Sequence, residues 1–313
     1  MMDTGNSGHL IRSEVWSSQL KEVLEDELMG QGYVNWMSEF PDGTTFTIPS
    51  IGQAQTDDYV ENDAVQYRAL DTGEFQFSVN KYKSSGHYIT NKAKQDMYYM
   101  NQLVSSFVPK QARAIMETLE TDIMALSASQ TASSSNSING ASHRFVGTGT
   151  NEVITVADFA KARFSLKKAN VPDRNLIAIV DPSVEFEMNN ITNITNVSNN
   201  PRWEGVIASG IASGMSFLAN IYGFDVYTSN YLADANEQID SAGATTAAGK
   251  ANMFFSADSS VLPFVGAWRQ MPQVDSEYNK DKQREEYVTT ARYGVALYRP
   301  ENLVTVLTDT DQV

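Results

Sequence analysis

Residues 96–128 read DMYYMNQLVSSFVPKQARAIMETLETDIMALSA, and the rest of the chain takes its meaning from this stretch. Val108, Ala112, Ile115, Met116, Leu119, Ile123 and Leu126 recur at steps of three and four, which puts them on one helical face. Lys110, Arg113, Glu117, Glu120 and Asp122 take the other side. Pro109 predicts a break between a lead-in helix, Tyr98 to Phe107, and a main helix, because proline lacks an N–H and clashes with the preceding turn. From Pro109 to Ser127 the main helix spans about 29 Å at 1.5 Å per residue. An element of that length, with one apolar face, predicts a spine on which other parts of the chain pack.

Around the spine, charge is unevenly placed. The 313 residues carry a formal charge of −15. Residues 1–62 hold eleven carboxylates against Arg12 and Lys21, whereas residues 81–113 hold Lys81, Lys83, Lys92, Lys94, Lys110 and Arg113 against Asp96 alone. Opposite charge on separate segments predicts complementary surfaces within a subunit or between identical copies, with two solvated faces as the bland alternative. The net acidity excludes a broad phosphate-binding surface. The length predicts one large domain or two intimately joined ones. Cysteine is absent, which removes disulfides, zinc–thiolate sites and thiol nucleophiles. No apolar run is long enough to cross a membrane, and the first thirty residues lack the order of a signal peptide, so a soluble, cytoplasmic origin is expected.

Upstream of the spine, Ser13 to Met29 reads as an acidic amphipathic helix with Val15, Trp16, Leu20, Val23, Leu24 and Leu28 on one side, stopped by Gly30 and Gly32. Thr45 to Ile48 reads as a strand, and Phe75, Phe77 and Val79 alternate with Gln76 and Ser78. Thr44 to Asn91 is therefore expected to be a long two-stranded excursion. A lone ribbon is marginal in water, so it should lie on another surface.

Downstream, Ser127 to Asn151 reads as a polar connector. A helix is expected from Thr155 with Asp158 in its first turn, then a buried strand at Leu176 to Val180 and a short helix at Ser183 to Met188. Strands are expected at Phe224 to Tyr227, Met253 to Phe255, Glu286 to Tyr298 and Leu303 to Leu307, with an Ala/Gly/Thr excursion at Asp234 to Asn252 and a solvated loop over residues 275–286. The fold class is α+β, without regular βαβ alternation.

The chemistry that short motifs reveal is missing. His9, His87 and His143 lie apart in polar stretches and read as ordinary surface or loop residues, with no helical metal pair. Gly147-Thr148-Gly149 lacks the third glycine of a dinucleotide loop, and Ser165-Leu166-Lys167-Lys168 matches SxxK by chance inside an amphipathic helix. Three consecutive sequons from Asn190 to Ser198 read as a polar loop, and the pairs Asp57-Asp58 and Glu285-Glu286 as solvated faces. No catalytic, cofactor-binding or metal site is predicted.

An acidic N-terminal arm, a basic-aromatic ribbon, a spine helix and an α+β body with a glycine-rich insertion, in that order, resemble the Hong Kong 97-type major capsid proteins of tailed bacteriophages. The resemblance is carried by Phe75-Gln76-Phe77-Ser78-Val79, by Ile89-Thr90-Asn91 through Thr118-Leu119-Glu120, and by the ending Tyr293-Gly294-Val295-Ala296-Leu297-Tyr298-Arg299-Pro300-Glu301-Asn302-Leu303-Val304. It implies an arm at 1–43, an extended loop at 44–95, and a spine helix, connector and peripheral-domain helix at 96–171. An axial domain at 172–260 and closing peripheral strands at 261–313 complete the implied division.

The implied function is that of a coat protein of a podovirus-like phage, assembled in the host cytoplasm as pentamers and hexamers of an icosahedral shell. That shell encloses double-stranded DNA without sequence-specific binding, and scaffolding and portal proteins are the implied partners. Arm and loop reach neighbouring subunits in that family, so the implied assembly contacts are Trp16, Glu25, Asp26 and Glu27 from the arm and Phe75, Phe77, Lys81, Lys83, Lys92 and Lys94 from the loop. Lys81 and Lys83 lie where some members crosslink covalently, but no partner asparagine matches, so non-covalent assembly is expected. An encapsulin-like nanocompartment shell is the near alternative. A glycan-binding module or hydrolase with its site in the Asn-rich segment is the distant one.

Overall fold

The computed structural model describes residues 28–38, 45–51, 56, 58, 61–62, 64, 72–96, 100–128, 136–190, 217–234, 239 and 249–309. The arm helix expected at Ser13 to Met29, the sequons, and most of the Asp234 to Asn252 excursion lie outside them.

A single helix, α2 (Met100–Met124), occupies the predicted spine position and runs through Pro109 without interruption. The expected break does not occur. Pro109 is exposed, and C-terminal to it the helix is held by the buried Ile115, Leu119, Ile123 and Met124. Of the predicted apolar face, Ile115, Leu119 and Ile123 are buried and Ala112, Met116 and Leu126 half-buried; Met124, outside that pattern, is buried as well.

Fourteen strands are described: β1 (Val34–Met37), β2 (Thr45–Ile51), β3 (Thr72–Ser78), β4 (Lys81–Thr90), β5 (Ser137–Ile138), β6 (Ala141–Ser142), β7 (Arg144–Val146), β8 (Leu176–Val180), β9 (Phe217–Ile221), β10 (Phe224–Thr228), β11 (Lys250–Ser256), β12 (Phe264–Asn279), β13 (Arg284–Leu297) and β14 (Val304–Thr308). The other helices are α1 (Asn91–Asp96), α3 (Val156–Lys168) and α4 (Pro182–Asn190).

Two main sheets organise them, one of order β7-β14-β11-β8-β10-β9 and one of order β1-β12-β13-β4. In the first, β8 is buried on both sides, as its unbroken run LIAIV requires. Leu176, Ala178 and Val180 point into a cluster with Phe159, Ala162 and Leu166 of α3 and Val184 and Met188 of α4. Ile177 and Ile179 point the other way, to Leu119, Ile123 and Met124 of α2 and to Phe264 and Tyr293 of the second sheet. The period-two alternation of β8 thus joins both halves of the core. Helix α3 begins as predicted: Thr155 and Asp158 form a reciprocal capping box.

Three expectations change. The ribbon is two-stranded only over β2 and β3; β4 leaves it and pairs antiparallel with β13 from Lys81 opposite Tyr293 to Thr90 opposite Arg284. Residues 275–286 are not a loop. They are the far ends of β12 and β13, joined by a turn at 280–283, and the hairpin carries charge on both faces because both are wet there. The connector Ser127 to Asn151 contributes β7, whose Phe145 is buried and whose strand pairs in parallel with β14.

Candidate assembly surfaces

The spine helix lies across the inner face of the β4–β13–β12 sheet and is fastened by buried polar groups. Gln111, almost wholly buried, accepts from Thr289 Oγ1 at 3.0 Å and donates from Nε2 to His87 Nδ1 at 2.7 Å. Four residues further along β13 from Thr289, Tyr293 donates its hydroxyl to Asp122 Oδ2 at 2.7 Å. Burial and the neighbouring Asp122 carboxylate together push the Tyr293 phenol well above its ordinary range. Lys81 Nζ meets Asp122 Oδ1 at 2.8 Å, and Lys83 approaches Oδ2 at 4.0 Å.

A second fastening holds the end of the arm. Glu120 is 0 % exposed, although its place in the helix had assigned it to the polar side. Its carboxylate accepts from Gly30 N at 2.8 and 2.9 Å and from Met29 N at 3.2 Å, the orphan donors that open the short 3₁₀ turn Gly30–Tyr33. A Cβ at position 30 would stand 2.9 Å from Glu120 Oε2, so any larger residue must displace that carboxylate. The chain then enters β1, parallel to β12, where Trp36 stacks on Trp268 with centroids 5.1 Å apart.

The ribbon is rooted by aromatic packing. Phe46 and Phe77 stack at 4.9 Å, Phe75 meets Tyr298 edge-on at 5.1 Å, and Val79, Val265 and Ala267 complete the cluster. Gly294 lets the chain at Ser78 and Val79 pass: a Cβ there would stand 2.7 Å from Ser78 O.

At the other end of the sheet, the hairpin turn grips the start of α1. Asn91 N donates to Gln283 O at 3.0 Å, and Asn91 Nδ2 donates to Tyr278 Oη at 2.7 Å. Lys94 pairs with Glu285, and Arg284 reaches Glu286 at 2.6 Å while lying over the Tyr88 ring at 4.3 Å. Lys94 holds the Glu285 carboxyl below its usual range, with the Tyr287 hydroxyl assisting, and Arg284 does the same for Glu286.

The residues expected to make contacts between subunits fall into three groups. Trp16, Glu25, Asp26 and Glu27 lie outside the described residues. Phe77 is only 5 % exposed and Phe75 is half-buried, so both spend their rings on the subunit's own ribbon root. Lys81, Lys83 and Lys94 have carboxylate partners in their own subunit, whereas Lys92 is exposed without an ion pair among the described residues. Glu120, Asp122 and Gln111, which do the fastening, gave no signal beyond an ordinary helix face.

His143 departs from the surface role expected of it. It is 0 % exposed, its Nδ1 lies 3.1 Å from Ala141 O, and burial lowers its pKa. The SxxK match is structural: Ser165 is buried and donates to Ser142 O at 2.7 Å. Among the described residues no three His, Cys, Asp or Glu side chains gather as a metal site, and no helix is long and apolar enough to cross a membrane.

Comparison with known proteins follows the same architecture. A family model described as phage capsid protein matches residues 72–306. No curated protein matches the sequence. A solved chain from cyanophage P-SCSP1u, titled as its capsid structure, superposes with a TM-score of 0.72 at 14 % identity, covering 95 % of this chain and 92 % of that one. A chain from Mycobacterium phage Che8 gives 0.68 at 16 % identity, covering 94 % and 96 %, and one from the bacteriophage PhiM1 mature capsid gives 0.67 at 9 %, covering 95 % and 91 %. These likenesses extend the shared fold over nearly the whole chain.

Proposed function

The chain belongs to the phage capsid protein family, and on that premise we propose that it stands as pentamers and hexamers of an icosahedral shell around packaged double-stranded DNA. As a virion structural protein of the Hong Kong 97-type fold, it builds its shell from copies of itself rather than performing catalysis. The observation that carries the reading is the extent of the family match: it runs from β3 through the spine helix into β14, so it includes the six-stranded sheet, the spine, and β4, β12 and β13 of the second sheet.

The finer division runs in chain order. Residues 1–43 are the arm, 44–95 the extended loop, 96–171 the spine with its connector and α3, 172–260 the axial domain and 261–313 the closing strands. The six-stranded sheet is the core of the axial part, and β7 and β14 enter it from the flanking segments. Arm residues Trp16, Glu25, Asp26 and Glu27, and loop residues Phe75, Phe77, Lys81, Lys83, Lys92 and Lys94, belong to segments that reach neighbouring copies. Of the loop residues, the exposed Lys92 is best supported, because it has no ion pair among the described residues. Scaffolding and portal proteins complete assembly, and the phage is podovirus-like on the sequence resemblance. A net charge of −15 keeps the shell from gripping the DNA that must enter and leave it.

Electron microscopy of the protein expressed alone and purified by sedimentation tests this. Closed polyhedra, or rings of five and six, are expected. A chain that stays monomeric even with its scaffolding protein added would overturn the reading.

A further inference from the structure

Where a ring of identical subunits closes head to tail, each subunit must offer two different, complementary patches. Helices α3 and α4, which cover the same face of the six-stranded sheet, present such a pair. On α3, Phe164 is 52 % exposed, Lys168 lies 5.9 Å from its ring, and Lys161 lies 3.9 Å from that of Phe145. Arg163 and Lys167 beside them share the single carboxylate of Asp173, at 2.6 and 3.0 Å. Lys161 and Lys168 have no ion pair among the described residues, so this face keeps an excess of positive charge around an exposed ring.

The counterpart is on α4. Phe186 is 50 % exposed between Glu185 and Glu187, and neither carboxylate has an ion pair among the described residues. Along the chain the two patches flank one strand, since α3 ends before β8 begins and α4 starts just after β8 ends. They differ in sign, so neither can serve as its own partner.

We propose that the α3 patch of one subunit docks on the α4 patch of a second copy, Phe164 against Phe186 with Lys161 and Lys168 facing Glu185 and Glu187, as a heterologous ring contact. The inference rests on the capsid reading and assigns it one subunit–subunit surface. Exposed aromatics ringed by opposite charge supply apolar burial at the centre and register at the rim. It also relocates the basic partner sought in residues 81–113: three of those lysines are engaged within the subunit, and α3 carries the surplus.

Charge reversal tests it. Lys161→Glu/Lys168→Glu should melt slightly below wild type, because it gives up the contacts with the Phe145 and Phe164 rings, and Glu185→Lys/Glu187→Lys slightly below it too, because Glu185 stands in the first turn of α4; both chains should stay folded yet assemble about tenfold less by sedimentation. The chain carrying all four changes restores complementarity and should assemble like wild type. An equimolar mixture of the two reversed chains can alternate only in even-membered rings, so six-membered rings should form without five-membered ones or closed shells. Should one reversed chain fold poorly, the four-change chain and the neutral pair Lys161→Gln/Lys168→Gln still decide. Reversed chains that assemble normally, or a folded four-change chain that does not assemble, would overturn the contact while wild-type shells left the capsid reading intact. A wild-type chain that forms neither rings nor shells would instead strike at that reading.

Discussion

Replacing Glu120 by Gln should release the arm while leaving the spine helix in place. The carboxylate is fully buried and takes N–H groups from both Met29 and Gly30. Hydrogen bonds to a charged group contribute about 1.5–3 kcal/mol each, and an amide at this site would turn one acceptor into a donor facing Gly30 N–H. The expected loss is about 3 kcal/mol of local stability, which at 1.4 kcal/mol per decade raises opening of the anchored segment about a hundredfold. Hydrogen exchange of peptides covering residues 28–38 reads this directly, because exchange there follows the local opening equilibrium. Gly30→Ala should act from the other side, its Cβ pushing on the same carboxylate. Peptides in the Glu120→Gln chain that exchange within about threefold of wild type would refute the anchoring role.

Other outcomes follow from the same geometry. The Tyr293 phenol is raised in the native state, so the unfolded chain ionises first; its contribution to stability is present below about pH 10 and is lost as pH rises beyond it. Denaturant midpoints of Tyr293→Phe should accordingly fall less steeply than wild type above that pH. His143 is lowered, so the unfolded chain takes its proton first and stability drops as pH falls below about 6.5, by at most about 1.4 kcal/mol per unit; His143→Gln should flatten that limb of a pH series of melts. Gly294→Ala should cost about 1–3 kcal/mol, because the new methyl meets backbone at Ser78 and Val79 that cannot swing away. Thermal melting checks it, with Gly32→Ala, where a Cβ meets nothing within 4 Å, as the neutral control.

What the sequence disclosed was local. The LIAIV run, the Thr155–Asp158 cap and the step-three, step-four pattern of the spine each need only neighbouring residues, and each stands in the structure where it was read. Elements that depend on distant partners were missed. Strand β1 is only four residues long and exists because Phe264 to Ala267 offer it an edge. The hairpin ends at 275–286 show no apolar alternation, because water bathes both faces and pairing alone defines them. Glu120 looked like any solvated helical acid until the arm, ninety residues earlier, supplied its donors. Lys81, Lys83 and Lys94 show no carboxylate nearby in sequence because their partners, Asp122 and Glu285, lie far along the chain.

Strand β14 holds an interior place, between β7 and β11, though it is encoded after every other described strand. A ribosome that has translated only as far as Tyr298 has made thirteen of the fourteen described strands, yet β7 and β11 still lack the strand that joins them. Leu303, Val304 and Val306, all fully buried, are missing from both core clusters at that moment. The nascent body is thus held short of its final shape until residue 308 emerges, because long-range pairing must wait for its last participant. Translation itself sets the earliest moment at which the six-stranded sheet can close.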